Sequence, residues 1–159
     1  MFKWTKGNLE MYKPMFFYAL LALLIGCFSG CLSQPFTDMA NNNFTSIQEE
    51  LAPTEIQGLW TGSIAHALVT YKINADGSGI QCMSPTITSS PLAKIKYMDG
   101  KIFSQGGTKL MIKSEKNAIL TLVSPYFDGS TFRFYKDDGL EKAAIECKKA
   151  LSELNTAIQ

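Results

Sequence analysis

Hydrophobic and polar residues alternate along the chain after its first third, in short stretches separated by turn signals. Val69, Tyr71 and Ile73 are separated by polar residues, and this period of two is typical of a β-strand with one buried face. The Asp-Gly pair at 76–77 suits the positive φ angles of a tight turn, and Gly79–Met83 has the pattern of the returning strand. The stretch therefore predicts an antiparallel hairpin.

The same pattern recurs over residues 54–159, which we interpret as one β-domain. Phe132 and Phe134 are predicted to face inward in its last strand. Short strands in up-and-down order bury one face best when the sheet curls on itself, so we predict a mainly β fold of about eight strands, either a small antiparallel up-and-down β-barrel or a strongly curved meander. The other predicted strands are Gly58–Ser63, Ala93–Tyr97, Lys101–Ser104, Lys109–Lys113, Ala118–Val123 and Thr131–Tyr135.

Over Asp137–Gln159 the period changes to three and four residues. This spacing predicts an amphipathic C-terminal α-helix that packs against the open side or end of the sheet. We interpret Asp137 and Asp138 as helix capping, because an aspartate at a helix start accepts hydrogen bonds from free backbone N–H groups. The apolar stripe of this helix comprises Leu140, Ala144, Cys147, Leu151, Leu154 and Ile158.

Two cysteines are candidates for a disulfide. Cys147 lies in the apolar stripe of the predicted helix, and Cys82 shares a strand face with Ile80, which we take to point inward. If the two faces meet in one core, the thiols can pair in an oxidising compartment. The alternative is two separately buried free thiols, which are common in protein cores. We predict the disulfide.

The N-terminus has the organisation of an export signal. Lys3, Lys6 and Lys13 precede an uninterrupted apolar run, Met15–Ile25, and small residues follow. A basic leader, an apolar stretch of about 7–15 residues and a small-residue cleavage site define such signals. The alternative is a retained transmembrane anchor, which needs about 20 apolar residues. The run is interrupted too early for that, and we predict a cleaved signal.

The tetrapeptide LIGC at 24–27 resembles the lipobox of bacterial lipoproteins. The resemblance implies that Cys27 is acylated after removal of residues 1–26, and that acyl chains hold the protein on a membrane. Cys31 is the alternative, with a signal of residues 1–30. It matches less well, but it would leave an even pair of thiols. Cys27 is our prediction.

We expect residues 27–53 to tether the domain to the membrane. The asparagines at 41–43 disfavour both helix and strand. Phe44, Ile47 and Leu51, however, have helical spacing. A short amphipathic helix ending before the proline at position 53 and a plain linker therefore both remain open.

Length and charge limit the classes of function. The chain has 159 residues, enough for one domain after the signal. Its net charge of +1 comes from the leader, since residues 1–26 hold three lysines and one glutamate. The remaining charges nearly cancel and are interspersed, so nothing indicates a surface for nucleic acid.

Residues suited to catalysis or metal binding are sparse. His66 is the only histidine, whereas a hydrolase triad needs a histidine beside a serine and a carboxylate. Two paired cysteines and one histidine cannot fill a zinc site. The glycines at 77–79 and 106–107 lack the Lys-Ser/Thr pair of a phosphate-binding loop. The sequence therefore predicts no catalytic residue, no metal and no cofactor.

Gly58-Leu59-Trp60, followed by strands and a C-terminal helix, resembles the Gly-x-Trp opening of lipocalin-like proteins. The resemblance implies that Gly58 and Trp60 are structural anchors and that Trp60 closes one end of a barrel. The chain is also similar to small envelope lipoproteins of Gram-negative bacteria, through QPFTD at 34–38 and PTEIQGLWTG at 53–62. This second resemblance implies a location and no activity.

Two functional hypotheses follow. The first is a non-enzymatic, membrane-anchored envelope lipoprotein whose β-domain binds a small apolar ligand or an envelope protein. The second is an interaction module with a filled core, such as an assembly factor or an inhibitor of an exported hydrolase. A cavity would favour the ligand. The residue after either candidate cysteine, Phe28 or Leu32, is not the aspartate that tends to retain lipoproteins at the inner membrane, so we expect the outer membrane.

Overall fold

The computed structural model describes residues 34–85, 91–126 and 129–156. The predicted signal sequence and both candidate acylation sites, Cys27 and Cys31, lie outside these residues. Among the residues described, no helix is long and apolar enough to cross a membrane.

Eight antiparallel strands form a closed barrel in which each strand pairs with the next. The first strand also pairs with the last, through Trp60–Gly62 against Phe134–Lys136. Closure leaves no sheet edge free for pairing with another chain. The structure thus confirms the mainly β fold and selects the barrel over the open meander. The strands are β1 (Gly58–Ile64), β2 (Ala67–Ile73), β3 (Ser78–Ser84), β4 (Leu92–Met98), β5 (Lys101–Ser104), β6 (Lys109–Lys116), β7 (Ile119–Val123) and β8 (Thr131–Lys136).

Strand alternation sends one face of every strand into the barrel. Trp60 lies opposite Tyr71 in the β1–β2 ladder, and Tyr71 lies opposite Gln81 in the β2–β3 ladder. Because directly paired residues share a face, all three point inward. Phe134 is fully buried and Phe132 packs against the same core, as predicted. The buried core residues are Ala52, Ile56, Trp60, Val69, Tyr71, Ile73, Ile95, Ile102, Leu120, Leu122 and Phe134.

One end of the barrel, which we call the closed end, is covered by the segment that leads into β1. This segment forms a 3-10 helix at Thr54–Ile56, and its Ile56 carbonyl accepts a hydrogen bond from the indole N–H of Trp60 at 2.8 Å. Gly77, in the β2–β3 turn, has a φ of +82°, and a Cβ there would lie 2.0 Å from the Glu50 carbonyl oxygen. The turn therefore requires glycine so that the covering segment can cross it.

The segment before the barrel differs from both sequence expectations. It contains a helix α1 (Gln34–Ala40) and a 3-10 helix at Phe44–Ser46. Phe44 and Ile47 are buried, whereas Leu51 is exposed, so the alternative of one amphipathic helix through these three residues is wrong. The chain instead runs along the barrel, because backbone N–H groups of Glu50 and Ala52 donate to carbonyl groups of the barrel turns and strands.

A second, smaller core lies outside the barrel wall, under the C-terminal helix α2 (Ile145–Thr156). Its buried members are Cys82, Ala143, Cys147 and Leu151, with Ile80 packed against them. Ile80 therefore points outward, and the prediction that it faces inward is wrong. Gly79, Gln81 and Met83 take the inward positions of β3, since apolar residues on both faces of this strand conceal which one is internal.

Helix α2 starts later than predicted. Leu140 has a φ of +57°, a left-handed conformation that an α-helix cannot include. Asp137 is buried and does not cap α2: its carboxylate accepts hydrogen bonds from the Thr61 hydroxyl at 2.8 Å and from the backbone N–H of Lys142 at 3.1 Å. Asp137 thus fixes the turn between β8 and α2 to the wall of the barrel.

Candidate ligand cavity

The end of the barrel opposite Trp60, which we call the open end, leads into a cavity of about 530 Å³. The cavity begins at the β1–β2 and β5–β6 turns and reaches Tyr71 and Gln81 in the middle of the barrel. Its volume is within the range of about 300–1,000 Å³ of small-molecule sites. The lining residues are Ile64, Ala65, Tyr71, Gln81, Met83, Ile102, Ser104, Thr108, Lys109, Leu110, Ser124, Tyr126, Ser130 and Phe132.

The wall of the cavity is mainly apolar. Ile64, Met83, Ile102, Leu110 and Phe132 come from five different strands, each at an inward position. An apolar ligand that binds against such a wall removes its surface from water, which favours binding by about 25 cal/mol per Å² of buried apolar surface. The cavity is therefore suited to an apolar molecule.

Tyr71 and Gln81 place two polar groups at the inner end of this apolar space. They are direct partners in the β2–β3 ladder, and their residues are only 3% and 9% exposed. Neither makes a side-chain hydrogen bond to another described residue. Because no buried side-chain nitrogen or oxygen among these residues lacks a partner, the polar atoms of Tyr71 and Gln81 are accessible from the cavity that they line. Burial raises the pKa of Tyr71, so its hydroxyl stays protonated and remains a donor.

Helix α1 is fastened to the rim of the open end by an ion pair. The Asp38 carboxylate lies 2.8 Å from the Lys109 ammonium and accepts a hydrogen bond from the Tyr126 hydroxyl at 2.6 Å. Lys109 and then Tyr126 lower the pKa of Asp38. Burial and the bond to Asp38 raise the pKa of Tyr126 to about 12. Lys109 is the charged residue of the described lining, and Asp38 neutralises it.

Comparison with protein families identifies the chain. The family model described as "Bacterial lipocalin LPS transport optimiser YedD" matches residues 41–151. The chain belongs to this family. The match covers the barrel and most of α2, so it supports the sequence resemblance to lipocalin-like proteins. Comparisons with curated proteins and with solved structures give no match.

The structure places the Gly-x-Trp residues of this lipocalin at the closed end. Trp60 is buried and lies outside the cavity lining. The Lys136 ammonium lies 4.6 Å from the centre of its indole ring. Gly58 has a φ of +99°, and a Cβ there would be 2.6 Å from the Lys136 nitrogen. Both residues therefore shape the closed end and are not part of the cavity lining.

Cys82 and Cys147 form a disulfide with their Cα atoms 5.7 Å apart. The bond joins β3 to α2 and lies in the small outer core, away from the cavity lining. His66 is exposed in the β1–β2 turn. No group of three or more histidine, cysteine, aspartate or glutamate residues that could hold a metal occurs in the described part of the chain.

Sequence reasoning missed Tyr71 and Gln81 as site residues. The alternation of its strand predicts that Tyr71 faces inward, which is correct. The pattern does not distinguish a residue that lines a cavity from the core residues Val69 and Ile73 beside it. Gln81 was overlooked because the apolar Ile80 and Cys82 beside it had the stronger inward pattern. The β2–β3 register could have found it: with a turn at 74–77, Gln81 pairs with Tyr71 and shares its face.

Proposed function

We propose that this chain is a lipid-anchored lipocalin of the bacterial envelope that binds a small apolar ligand without chemical conversion. The cavity carries the proposal, because it is open at one end, closed at the other and lined mainly by apolar side chains. A filled barrel would have favoured the interaction module, that is, the assembly factor or hydrolase inhibitor. The family description, "LPS transport optimiser", supports LPS transport as the process in which the protein acts, and we propose that ligand binding contributes to it.

The location rests on the sequence. The export signal and the LIGC tetrapeptide support acylation at Cys27, with Cys31 as the alternative. Phe28 after the predicted acylation site supports the outer membrane as the destination. Helix α1 follows the predicted acylation site within a few residues of sequence, and the Asp38–Lys109 ion pair holds this helix at the rim of the cavity.

A matched pair of variants tests ligand binding. Leu110 lines the cavity, and its neighbour Met111 points outward and is exposed. Leu110→Trp fills the cavity, whereas Met111→Trp adds the same indole to the outer surface. We expect the processed chain in nanodiscs to bind the apolar fluorophore N-phenylnaphthylamine, Met111→Trp to bind it equally, and Leu110→Trp to bind it at least about tenfold more weakly.

The same pair tests the role in the cell. In a strain lacking the gene, Met111→Trp should restore the outer-membrane LPS level and Leu110→Trp should not, at equal abundance of the two proteins. Equal fluorophore binding by both variants would contradict the cavity as the ligand site. Equal restoration of LPS by both would contradict a role for the ligand in LPS transport.

A further inference from the structure

The inner end of the cavity has hydrogen-bonding groups that the fold leaves unused. Tyr71 and Gln81 are paired on adjacent strands, and neither side chain bonds another described residue. Their polar atoms are open to the cavity, since no fully buried side-chain nitrogen or oxygen of the described residues lacks a partner. A ligand that fills the cavity takes these groups out of water, and each polar group that it then leaves unpaired costs about 1–3 kcal/mol. An unpaired neighbouring couple in an apolar cavity is therefore positioned for a polar group of the ligand.

The chemistry of the couple defines its complement. The phenol donates one hydrogen bond, and the carboxamide both donates and accepts. Neither carries charge, and burial keeps the phenol protonated. Lys109, the charged residue of the described lining, lies at the rim and is paired with Asp38. An ionised group brought to Tyr71 and Gln81 would thus lose its hydration without gaining a counter-charge, which is strongly unfavourable.

We propose that the cavity takes an aliphatic molecule with a neutral hydrogen-bonding end group, a hydroxyl or a carboxamide, that enters end-first and bonds to Tyr71 and Gln81. The chain of the molecule lies against Ile64, Leu110 and Phe132, and its far end faces the rim. This inference rests on the proposed function, that is, on ligand binding in the cavity. It adds the class of ligand and its orientation.

Four decyl compounds test the end group: decanol, decanamide, decanoate and decane. Binding to the processed chain is measured by native mass spectrometry on release from nanodiscs, at about pH 8, where a free carboxyl group is ionised. We expect decanol and decanamide to bind at least about tenfold more tightly than decanoate, and more tightly than decane, as a hydrogen-bonding site discriminates against ligands that leave its groups unpaired.

Isosteric variants test the two side chains. Tyr71→Phe removes only the inner hydroxyl, and Tyr135→Phe removes a hydroxyl from the exposed outer face as a control. We expect Tyr71→Phe and Gln81→Met each to weaken decanol binding by about three- to tenfold and to leave decane binding unchanged. Tyr135→Phe should change neither. Gln81→Met keeps the test decisive if Tyr71→Phe folds poorly, which thermal unfolding reports.

Three outcomes overturn the inference. The first is tighter binding of decanoate than of decanol. If Lys109→Met weakened that binding, the polar end of the ligand would lie at the rim. The second is equal affinity for all four compounds, with Tyr71→Phe and Tyr135→Phe binding decanol equally. The cavity would then not distinguish ligand end groups, and the proposed function would stand. No binding of any decyl compound, together with equal fluorophore binding by Leu110→Trp and Met111→Trp, would remove the proposed function as well.

Discussion

Loss of the Cys82–Cys147 disulfide should detach α2 before the barrel unfolds. Two observations lead to this prediction. Helix α2 rests on the outer wall through a core of four buried residues, whereas the barrel has its own larger core and a closed hydrogen-bonded sheet. The disulfide joins this weakly held helix to β3.

The size of the effect follows from the chain between the cysteines. A crosslink across a sequence separation of 65 residues reduces the conformational entropy of the unfolded chain. In the chain-entropy model this raises the free energy of the unfolded state by about 4 kcal/mol. A domain of this size has a free energy of unfolding of about 5–15 kcal/mol. The Cys82→Ala/Cys147→Ala double variant should therefore fold, with a stability reduced by up to about 4 kcal/mol.

Hydrogen exchange measured by mass spectrometry distinguishes the two regions. In the double variant, amides of α2 should exchange faster by at least about tenfold, while amides of β2 keep most of their protection. Reductant should have the same effect on the wild-type chain and none on the double variant, which serves as the control. The reasoning is refuted if α2 and β2 lose protection together, or if protein isolated from the envelope without reduction has alkylatable thiols at Cys82 and Cys147.

Three other predictions concern the closed end, the rim and the anchor. Trp60→Ala should lower the free energy of unfolding by about 3–5 kcal/mol, seen as a lower melting temperature; an unchanged melting temperature would contradict burial of Trp60 as an anchor. At the rim, the lowered pKa of Asp38 stabilises the α1 contact above its ordinary value of 3.8, and this contribution is lost as pH falls through the lowered value. The raised pKa of Tyr126 stabilises the contact below 10.0, and this contribution is lost as pH rises through about 12. Proteolysis of α1 should therefore be slowest between about pH 4 and pH 10, and Asp38→Asn should abolish the acid limb. Cys27→Ala should prevent acylation and leave a larger precursor, as should inhibition of lipoprotein signal peptidase; if Cys31→Ala does so instead, the alternative site is the true one.

The strands of the barrel were largely predictable because alternation and turn residues are local signals. Val69, Tyr71 and Ile73 have a period of two that the tertiary fold retains. The turn at 76–77 is encoded by an Asp-Gly pair and needs no distant contact. The sequence pattern left a closed barrel and a curved meander open, because closure depends on the pairing of β1 with β8, which are far apart in the sequence.

The cavity and the turn before α2 depend on contacts between distant residues, and the sequence pattern misled there. Ile80 and Cys82 are apolar because α2 covers them, and a single-strand pattern cannot tell a core outside the barrel from one inside. Asp137 precedes a helical pattern and therefore resembles a helix cap. Its actual partner, Thr61 in β1, is 76 residues away and cannot be recognised from the local sequence. The unpaired state of Gln81 became visible only when its neighbours were in place.

The most direct test of ligand binding in the cavity is the lipid content of the protein isolated from the envelope. Wild-type chain, Leu110→Trp and Met111→Trp are purified in parallel, and the small molecules extracted from each are identified by mass spectrometry. We predict one aliphatic compound enriched to a similar molar ratio in the wild-type and Met111→Trp preparations and depleted from Leu110→Trp. An identical set of compounds in all three preparations would contradict the account.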